Sequence, residues 1–253
     1  MTSKQFSIIG NWKMNPQKLR DAKTLYTELA RKQASFGRVE VVIAPPFPYL
    51  GVVGRTKKIQ LAAQDVFWEP AGSYTGEVSP AMLKDIGVTC VIVGHSERRR
   101  YLLESDEIVN QKLKATLKAN LHPIVCVGEL KRDPDGLFFG DLRRQIEGTF
   151  AKLKKQDLGR VTVAYEPVWA IGSGTPARPE DTNEAALFIK KTLADLYGVS
   201  AVREFKIIYG GSVNAKNATS FLREQEITGL LVGRESLNAK EFLRIIECAR
   251  ILS

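Results

Sequence analysis

Eight short apolar runs rich in Val and Ile constrain the fold of this chain more than any other feature of its sequence. They are FSIIG (6–10), VEVVIA (39–44), IQLAA (59–63), CVIVG (90–94), PIVCVG (123–128), VTVAY (161–165), KIIYG (206–210) and GLLVG (229–233). Their apolarity is continuous rather than alternating, which is typical of parallel strands that are buried on both faces. The runs therefore predict eight buried strands.

Helical segments with recognisable ends separate these runs. In ESDEIVNQKLKATLKA, Ser105 can cap the helix, while Asp106 and Glu107 favour its positive N-terminal end. In ARPEDTNEAALFIKKTLADLYG, Pro179 suits the first helical position and Gly198 suits the stop. Strands and helices therefore alternate along the chain.

Eight such alternations without a Ser/Gly-rich linker favour one single-domain (β/α)8 barrel, with a parallel eight-stranded sheet, over residues 1–253. The length of 253 residues with 44% hydrophobic residues also allows two domains. A doubly wound sheet is the alternative, but it normally shows G-x-G-x-x-G after an early strand, and this sequence has none.

Composition limits the function classes. The three cysteines (Cys90, Cys126 and Cys248) are scattered, which favours reduced thiols, and with only His95 and His122 a zinc site is not expected. The N-terminal apolar run is too short for a signal peptide or a membrane span, so we expect a cytoplasmic protein that does not bind membranes.

The net charge of +9 raises the question of nucleic-acid binding. The basic residues are interleaved with acidic ones, and even RRR (98–100) lies between Glu97 and ESDE. This pattern favours a basic solvated surface, whose field would assist the encounter with a small anionic substrate.

Polar residues follow the predicted strands. In a (β/α)8 barrel the active site lies at the C-terminal ends of the strands, so these residues are site candidates. They are Asn11, Lys13, His95, Ser96, Glu97, Glu129, Glu166, Gly211, Ser212, Gly233 and Arg234.

Five segments at these strand ends resemble the signature segments of the triosephosphate isomerase family, and they occur in the family's order. They are GNWKMN (10–15), VGHSERR (93–99), CVGE (126–129), AYEPVWAIGSG (164–174) and YGGSV (209–213). The resemblance covers essentially the whole chain. It implies a TIM barrel that interconverts dihydroxyacetone phosphate and D-glyceraldehyde 3-phosphate in glycolysis and gluconeogenesis, through an enediol(ate) and without a cofactor or metal.

The resemblance implies that Glu166 is the base that moves a proton between C1 and C2 of the triose phosphate. A carboxylate removed from water is a stronger base than one in water. The flap after Glu166 would cover it, and Leu231 would clamp it from the other side. The residues assigned to this lid and clamp are Pro167, Val168, Trp169, Ala170, Ile171 and Leu231.

The other catalytic roles also follow from the resemblance. His95 would polarise the substrate carbonyl and shuttle protons, and Ser96 is a possible cap for the helix that keeps the ring neutral. Lys13 would stabilise the enediolate-like transition state, and Asn11 would orient Lys13 and the substrate.

Three further residues at these strand ends have supporting roles. Glu97 lies just behind His95, and we expect it to act from there, with Lys112 as a possible partner. A simple stabilising acid in the first turn of a helix is an equal alternative for Glu97. Glu129 and Cys126 are interpreted as structural.

Glycine-rich turns after the last two strands predict the phosphate site, because backbone N–H groups hold phosphate well. The resemblance implies donors at Gly172, Ser212, Gly233 and Arg234. The long loop 64–80 would reach into a neighbouring subunit, with Thr75 close to the partner's catalytic Asn and Lys. We therefore expect a homodimer.

The chain departs from the family pattern in three places. Arg234 and Glu235 follow Gly233 where the family usually has Gly and Ala, so the N–H contact requires that position 234 avoid a positive φ. Arg234 would add a cation near the phosphate unless Glu235 pairs with it. Pro176 stands in the hinge after the flap, where it could alter lid opening, and Asp65 stands where Asn is usual.

Two other functions stay open from the residues. One is a Schiff-base aldolase on the same fold with Lys13 as the nucleophile. The other is a non-catalytic binder of phosphate ligands or nucleic acid, motivated by the charge of +9.

Overall fold

The computed structural model of the chain describes residues 4–54, 56–133, 135–171, 176–203 and 205–253. Within these ranges eight parallel strands form a closed barrel in sequence order, because β8 pairs with β1. The strands are β1 (Ser7–Asn11), β2 (Glu40–Ala44), β3 (Ile59–Ala63), β4 (Cys90–Val93), β5 (His122–Val127), β6 (Thr162–Tyr165), β7 (Lys206–Tyr209) and β8 (Ile227–Val232). The predicted (β/α)8 barrel is confirmed.

Helices connect successive strands on the outside of the barrel. In the described ranges they are α1 (Leu19–Arg31), α2 (Phe47–Leu50), α3 (Pro80–Asp85), α4 (Ser96–Tyr101), α5 (Asp106–Lys118), α6 (Phe138–Phe150), α7 (Pro179–Tyr197), α8 (Ala218–Arg223) and α9 (Ala239–Leu252). The helix ends follow their local chemistry. Ser105 Oγ accepts the N–H of Ile108 at 3.3 Å, Pro179 begins α7, and Gly198 ends it with φ of 86°. These three predicted ends are confirmed.

The strands alternate between an inner and an outer apolar layer, since successive side chains point to opposite faces. In β2, Val42 and Ala44 join the cluster to which every strand contributes, while Val41 and Ile43 pack against the helices. Filling of the barrel interior by small and branched side chains makes it a packed core with a site at one end. The upper part of the inner cluster includes Leu231, directly beneath that site.

None of the helices in the described ranges combines the length and the apolar character that crossing a membrane requires.

Candidate active site

A cavity of about 680 Å³ lies at the C-terminal ends of the strands. The predicted site residues on its wall are Asn11, Lys13, His95, Ser96, Glu97, Glu166, Val168, Ile171, Gly211, Ser212, Leu231, Gly233 and Arg234. The barrel thus brings together residues that are separated by more than 200 positions in the sequence. Pro167, Trp169 and Ala170 of the predicted lid belong to the same segment but do not line this cavity.

His95 lies between β4 and α4, and its ring is the cap of that helix. Its Nδ1 accepts the backbone N–H of Glu97 at 3.2 Å. The prediction that Ser96 caps the helix is therefore wrong, because Ser96 is the first helical residue and the His95 ring takes the orphan N–H. A nitrogen that accepts a backbone N–H has no proton of its own, so the neutral ring has its proton on Nε2.

Glu166 directly follows β6 and is only 2% exposed. Its Oε1 lies 3.2 Å from His95 Nε2, and its Oε2 accepts the backbone N–H of Ser96 at 3.0 Å. A buried carboxylate and the protonated nitrogen of a neutral imidazole thus meet at the cavity wall. Both groups needed for proton transfer between adjacent substrate atoms are within hydrogen-bond reach of one another.

Glu166 is also packed tightly against Gly210. A Cβ added to Gly210 would lie 3.0 Å from Glu166 Cγ and 3.5 Å from the Cβ of Leu231, the predicted clamp. The space beside the carboxylate stem therefore depends on the missing side chain of Gly210. On the barrel side, burial and then the nearby charge of Glu166 raise the pKa of the Cys126 thiol well above its usual value.

Lys13 follows β1, and neighbouring polar groups hold both its side chain and its backbone. Its Nζ lies 2.6 Å from Glu97 Oε1, and its N–H donates to Asn11 Oδ1 at 3.0 Å. The backbone of Lys13 has φ of 53°, a conformation that non-glycine residues adopt at a cost and that is found at functional sites. Gln64 Nε2 donates to the Lys13 carbonyl at 2.8 Å, which fixes this turn to β3.

The suggested partner of Glu97 is wrong. Lys112 is buried and contacts Asp65 at 2.7 Å and Glu104 at 2.6 Å, whereas the side chain of Glu97 is 44% exposed and contacts Lys13. Arg98 also contacts Asp65, at 2.8 Å. Burial raises the pKa of Asp65, and the two cations oppose that shift. The negative charge of the Asp65 carboxylate is thus balanced by the positive charges of Lys112 and Arg98.

The first residues of the lid are attached to the end of β5. Trp169 Nε1 and the Tyr165 hydroxyl both donate to Glu129 Oε1 at 2.8 Å, and the N–H of Val168 donates to the Glu129 carbonyl at 3.0 Å. Burial raises the pKa of Glu129. This arrangement turns Trp169 toward Glu129 and away from the cavity. The predicted phosphate donor Gly172 lies outside the described residues.

The turn after β7 contacts the lid through one hydroxyl. Ser212 Oγ donates to the carbonyl of Ala170 at 2.8 Å, and Asn217 Nδ2 donates to the carbonyl of Ser212 at 2.9 Å. A Cβ on Gly211 would lie 2.1 Å from the Tyr209 hydroxyl, so this turn requires glycine there.

The turn after β8 meets the condition set for position 234. Gly233 precedes a 3-10 helix over Arg234–Leu237, and Arg234 is not among the described residues with positive φ. Its side chain is exposed at the cavity. Neither Arg234 nor Glu235 forms an ion pair with any residue that the structure describes. The guanidinium is therefore not neutralised by Glu235.

Thr75 lies away from the cavity, at the exposed tip of the 64–80 loop. The loop has an aromatic base, since the Phe67 ring lies 4.1 Å from Trp68 and 4.6 Å from Tyr74. Tyr74 is 45% exposed. The loop thus presents an ordered apolar surface to its surroundings.

In the described ranges no group of three or more His, Cys, Asp or Glu side chains is arranged to hold a metal ion.

Several residues that support the site were not predicted from the sequence. Gln64 directly follows the third apolar run, so its position at a strand end was a usable signal. Gly210 was visible in the YGGSV segment, but its contact with Glu166 depends on the barrel register. Gln145 lies in the middle of α6 with no motif around it, and it hydrogen-bonds Gly128. No sequence signal identified it.

The barrel and the site define an enzyme that moves protons on a small ligand, with a buried carboxylate, a neutral imidazole and a fixed cation around one cavity. The family model described as triosephosphate isomerase matches residues 6–249. The chain belongs to the triosephosphate isomerase family.

Curated relatives agree over nearly the full length. The triosephosphate isomerase of Caldanaerobacter subterraneus subsp. tengcongensis is 45% identical, over 94% of this chain and 97% of the relative. That of Alkaliphilus oremlandii is 44% identical over the same shares. That of Citrifermentans bemidjiense is 46% identical, over 94% of this chain and 96% of the relative.

Proposed function

We propose that Glu166, His95 and Lys13 perform the proton transfers by which this chain interconverts dihydroxyacetone phosphate and D-glyceraldehyde 3-phosphate. The chain is an isomerase by its family, and the reaction is a step of glycolysis. The observation that supports these roles is the 3.2 Å approach of Glu166 Oε1 to His95 Nε2 at the wall of a cavity that Lys13 also lines.

Each group has one task in this proposal. Glu166 removes the proton from the carbon next to the carbonyl and returns it to the adjacent carbon. His95 donates its Nε2 proton to the oxygen that becomes negative, so the enediolate never holds the full charge alone. Lys13 stabilises the same charge electrostatically, and Asn11 holds the Lys13 backbone in position. No cofactor is needed, because no electron leaves the substrate.

Glu97 has a supporting role in the proposal. Its carboxylate lies 2.6 Å from Lys13 Nζ, and its N–H holds His95 Nδ1. Glu97 thereby fixes both the cation and the imidazole tautomer without touching the carbon that loses its proton.

The phosphate is proposed to lie against the turns after β7 and β8. The N–H groups of Ser212, Gly233 and Arg234, together with that of Gly172, are the proposed donors. The guanidinium of Arg234 adds a positive charge at this end of the cavity. A substrate held by its phosphate would present its two reacting carbons to Glu166.

A coupled isomerase assay on the purified chain tests the activity. We expect turnover in the wild type and its loss in Glu166→Ala. Full activity of Glu166→Ala would contradict the assignment of Glu166 as the base.

Borohydride trapping with the triose phosphate separates isomerisation from aldolase chemistry, and we expect no covalent adduct at Lys13. Salt-dependent RNA or DNA binding without turnover would favour the binder.

We also propose that the chain is a homodimer through the 64–80 loop, with Thr75 reaching the partner's site. Large apolar side chains that are exposed in the single chain support this, because a partner subunit would cover them. Tyr74 in the loop is 45% exposed, and Met14, next to Lys13, is 82% exposed. Light scattering after gel filtration should give twice the chain mass. Thr75→Asp should shift the protein toward monomer and lower its activity, and a fully active monomer would contradict the proposal.

The remaining part of the proposal is that residues 1–253 form one catalytic domain that works in the cytoplasm. Fractionation of cells that produce the chain would check the location.

A further inference from the structure

The backbone of Glu166 rests on that of Gly128. The N–H of Glu166 donates to the carbonyl of Val127 at 2.8 Å, the last residue of β5. At the next position there is no room for a side chain, since a Cβ on Gly128 would lie 1.8 Å from the Glu166 carbonyl oxygen. A shift of Gly128 would therefore be passed directly to Glu166.

Gln145 holds Gly128 from the opposite side. Its side chain projects from α6, where Oε1 accepts the N–H of Gly128 at 3.0 Å and Nε2 donates to the Gly128 carbonyl at 2.9 Å. One amide thus satisfies both polar groups of a residue just beyond the end of its strand. These two bonds form a closed ring, which restrains the peptide more than a single bond would.

A second cavity lies behind the base. It has a volume of about 200 Å³, and its lining includes Gln145, Gly128, Glu166 and Val168. Gly128 therefore packs against Glu166 and also borders open space. The two hydrogen bonds between Gly128 and the Gln145 amide restrain its peptide there.

We propose that Gln145 is a positioning residue for the catalytic base. It is not among the described residues that line the 680 Å³ cavity, so it acts through Gly128 and does not touch the substrate. This inference rests on the proposed role of Glu166. The amide of Gln145 sets where the Glu166 backbone lies, and thereby the distance from the carboxylate to the carbon that loses its proton.

The primary test is Gln145→Met, which keeps the length of the side chain and removes both hydrogen bonds. Misplacement of a reacting group by about 1 Å can cost ~100-fold in rate, and for a partial shift we expect kcat to fall about 10-fold with KM within about twofold. The primary isotope effect on kcat with C1-deuterated dihydroxyacetone phosphate should exceed that of the wild type, because proton removal becomes slower.

Ile146→Val is the matched control on the same helix. Ile146 is fully buried, so losing one methyl destabilises α6 without disturbing Gly128. We expect its kcat to stay within about twofold of wild type.

A double-mutant cycle with Glu166→Asp decides whether Gln145 acts through the base. In Glu166→Asp the carboxylate is already withdrawn, so adding Gln145→Met should cost less than about threefold. A full 10-fold loss in that background, or a Gln145→Met enzyme with wild-type kcat, would overturn the inference. Absence of turnover in the wild type would instead contradict the proposed function.

Discussion

The two ends of the barrel contain the same three kinds of ionisable side chain, yet only one end is built for chemistry. The C-terminal end has Glu166, His95 and Lys13 around a cavity of about 680 Å³. The N-terminal end has one Glu, one His and one Lys as the first residues of β2, β5 and β7, namely Glu40, His122 and Lys206.

At the N-terminal end each of these groups has a polar or charged partner on another strand. Glu40 accepts from Ser7 Oγ at 2.6 Å and from Gln60 Nε2 at 3.0 Å, and Lys206 Nζ lies 3.9 Å away. His122 Nε2 lies 2.9 Å from the Thr162 hydroxyl. At the C-terminal end, Glu166 Oε1 and His95 Nε2 contact each other at 3.2 Å, and both side chains border a cavity that a substrate can enter. A Glu, a His and a Lys therefore do not make a site by themselves. They also need open space beside them that a ligand can enter.

The largest expected effect comes from the two carboxylates. Removing a general base costs about 10²- to 10⁴-fold in rate, so Glu166→Ala should lower kcat by a factor at the upper end of that range. Glu40→Gln should leave kcat within about twofold and lower the free energy of unfolding by about 1 kcal/mol. Steady-state kinetics and urea unfolding measure the two quantities. A large loss of kcat in Glu40→Gln would mean that the N-terminal end of the barrel also contributes to catalysis.

The two lysines should differ in the same sense. Lys13→Met removes a fixed charge from the position where negative charge develops, which costs about 10²- to 10³-fold in kcat/KM. Lys206→Met, at the other end, should change kcat/KM by less than about twofold. The coupled assay at equal enzyme concentrations measures both variants. Similar losses would mean that Lys13 acts only through the general field of the protein.

An arginine at each end of the barrel should show a smaller difference, in KM. Arg234→Ala should raise KM about fivefold with kcat nearly unchanged, because charge-assisted contacts to phosphate are stronger than neutral ones. Arg160 precedes β6 at the opposite end, where it donates to the Leu117 carbonyl at 3.2 Å. Arg160→Ala should leave KM unchanged. A KM that is also unchanged in Arg234→Ala would show that the backbone donors suffice.

His122 should appear in stability and not in activity. Burial lowers its pKa, Lys206 and Arg160 lower it further, and Glu40 opposes them. With the folded pKa below the unfolded value of about 6.5, the unfolded chain binds the proton first, so stability is complete above that pH and is lost as the pH falls.

Urea unfolding at about pH 7 and about pH 5 measures this effect. The wild type should lose more stability than His122→Gln over that interval, by less than about 1 kcal/mol. Equal losses in the two proteins would mean that the burial of His122 is not linked to the pH dependence.

Most of the fold was predictable from the sequence, because strands buried on both faces leave a continuous apolar pattern. The strand boundaries agree within two residues. The largest difference is in β8, which begins at Ile227 although its predicted run began at Gly229, since the polar Thr228 interrupts the pattern. The site of a (β/α)8 barrel lies at the C-terminal ends of its strands, and this rule correctly predicted that Asn11, Lys13 and Glu166 lie at one cavity.

What the sequence did not show are the pairings between side chains. Glu97 was suggested to pair with Lys112, but the register of the barrel places its carboxylate next to Lys13. Gln145 lies 17 residues beyond Gly128 on a helix with ordinary periodicity, and only the packing of α6 against β5 brings them together. Such contacts depend on three-dimensional distances that no local pattern encodes.

The proposed task of Glu166 is to move a proton between adjacent carbons of a triose phosphate. Its most direct test is the conversion of D-glyceraldehyde 3-phosphate in D₂O, with the product followed by proton NMR. The Glu166 carboxyl group that has taken a proton from the substrate can exchange it with solvent. We therefore expect dihydroxyacetone phosphate with deuterium at C1. We also expect that Glu166→Ala loses the reaction. Product formed without deuterium at C1, as in a direct hydride shift, would contradict it.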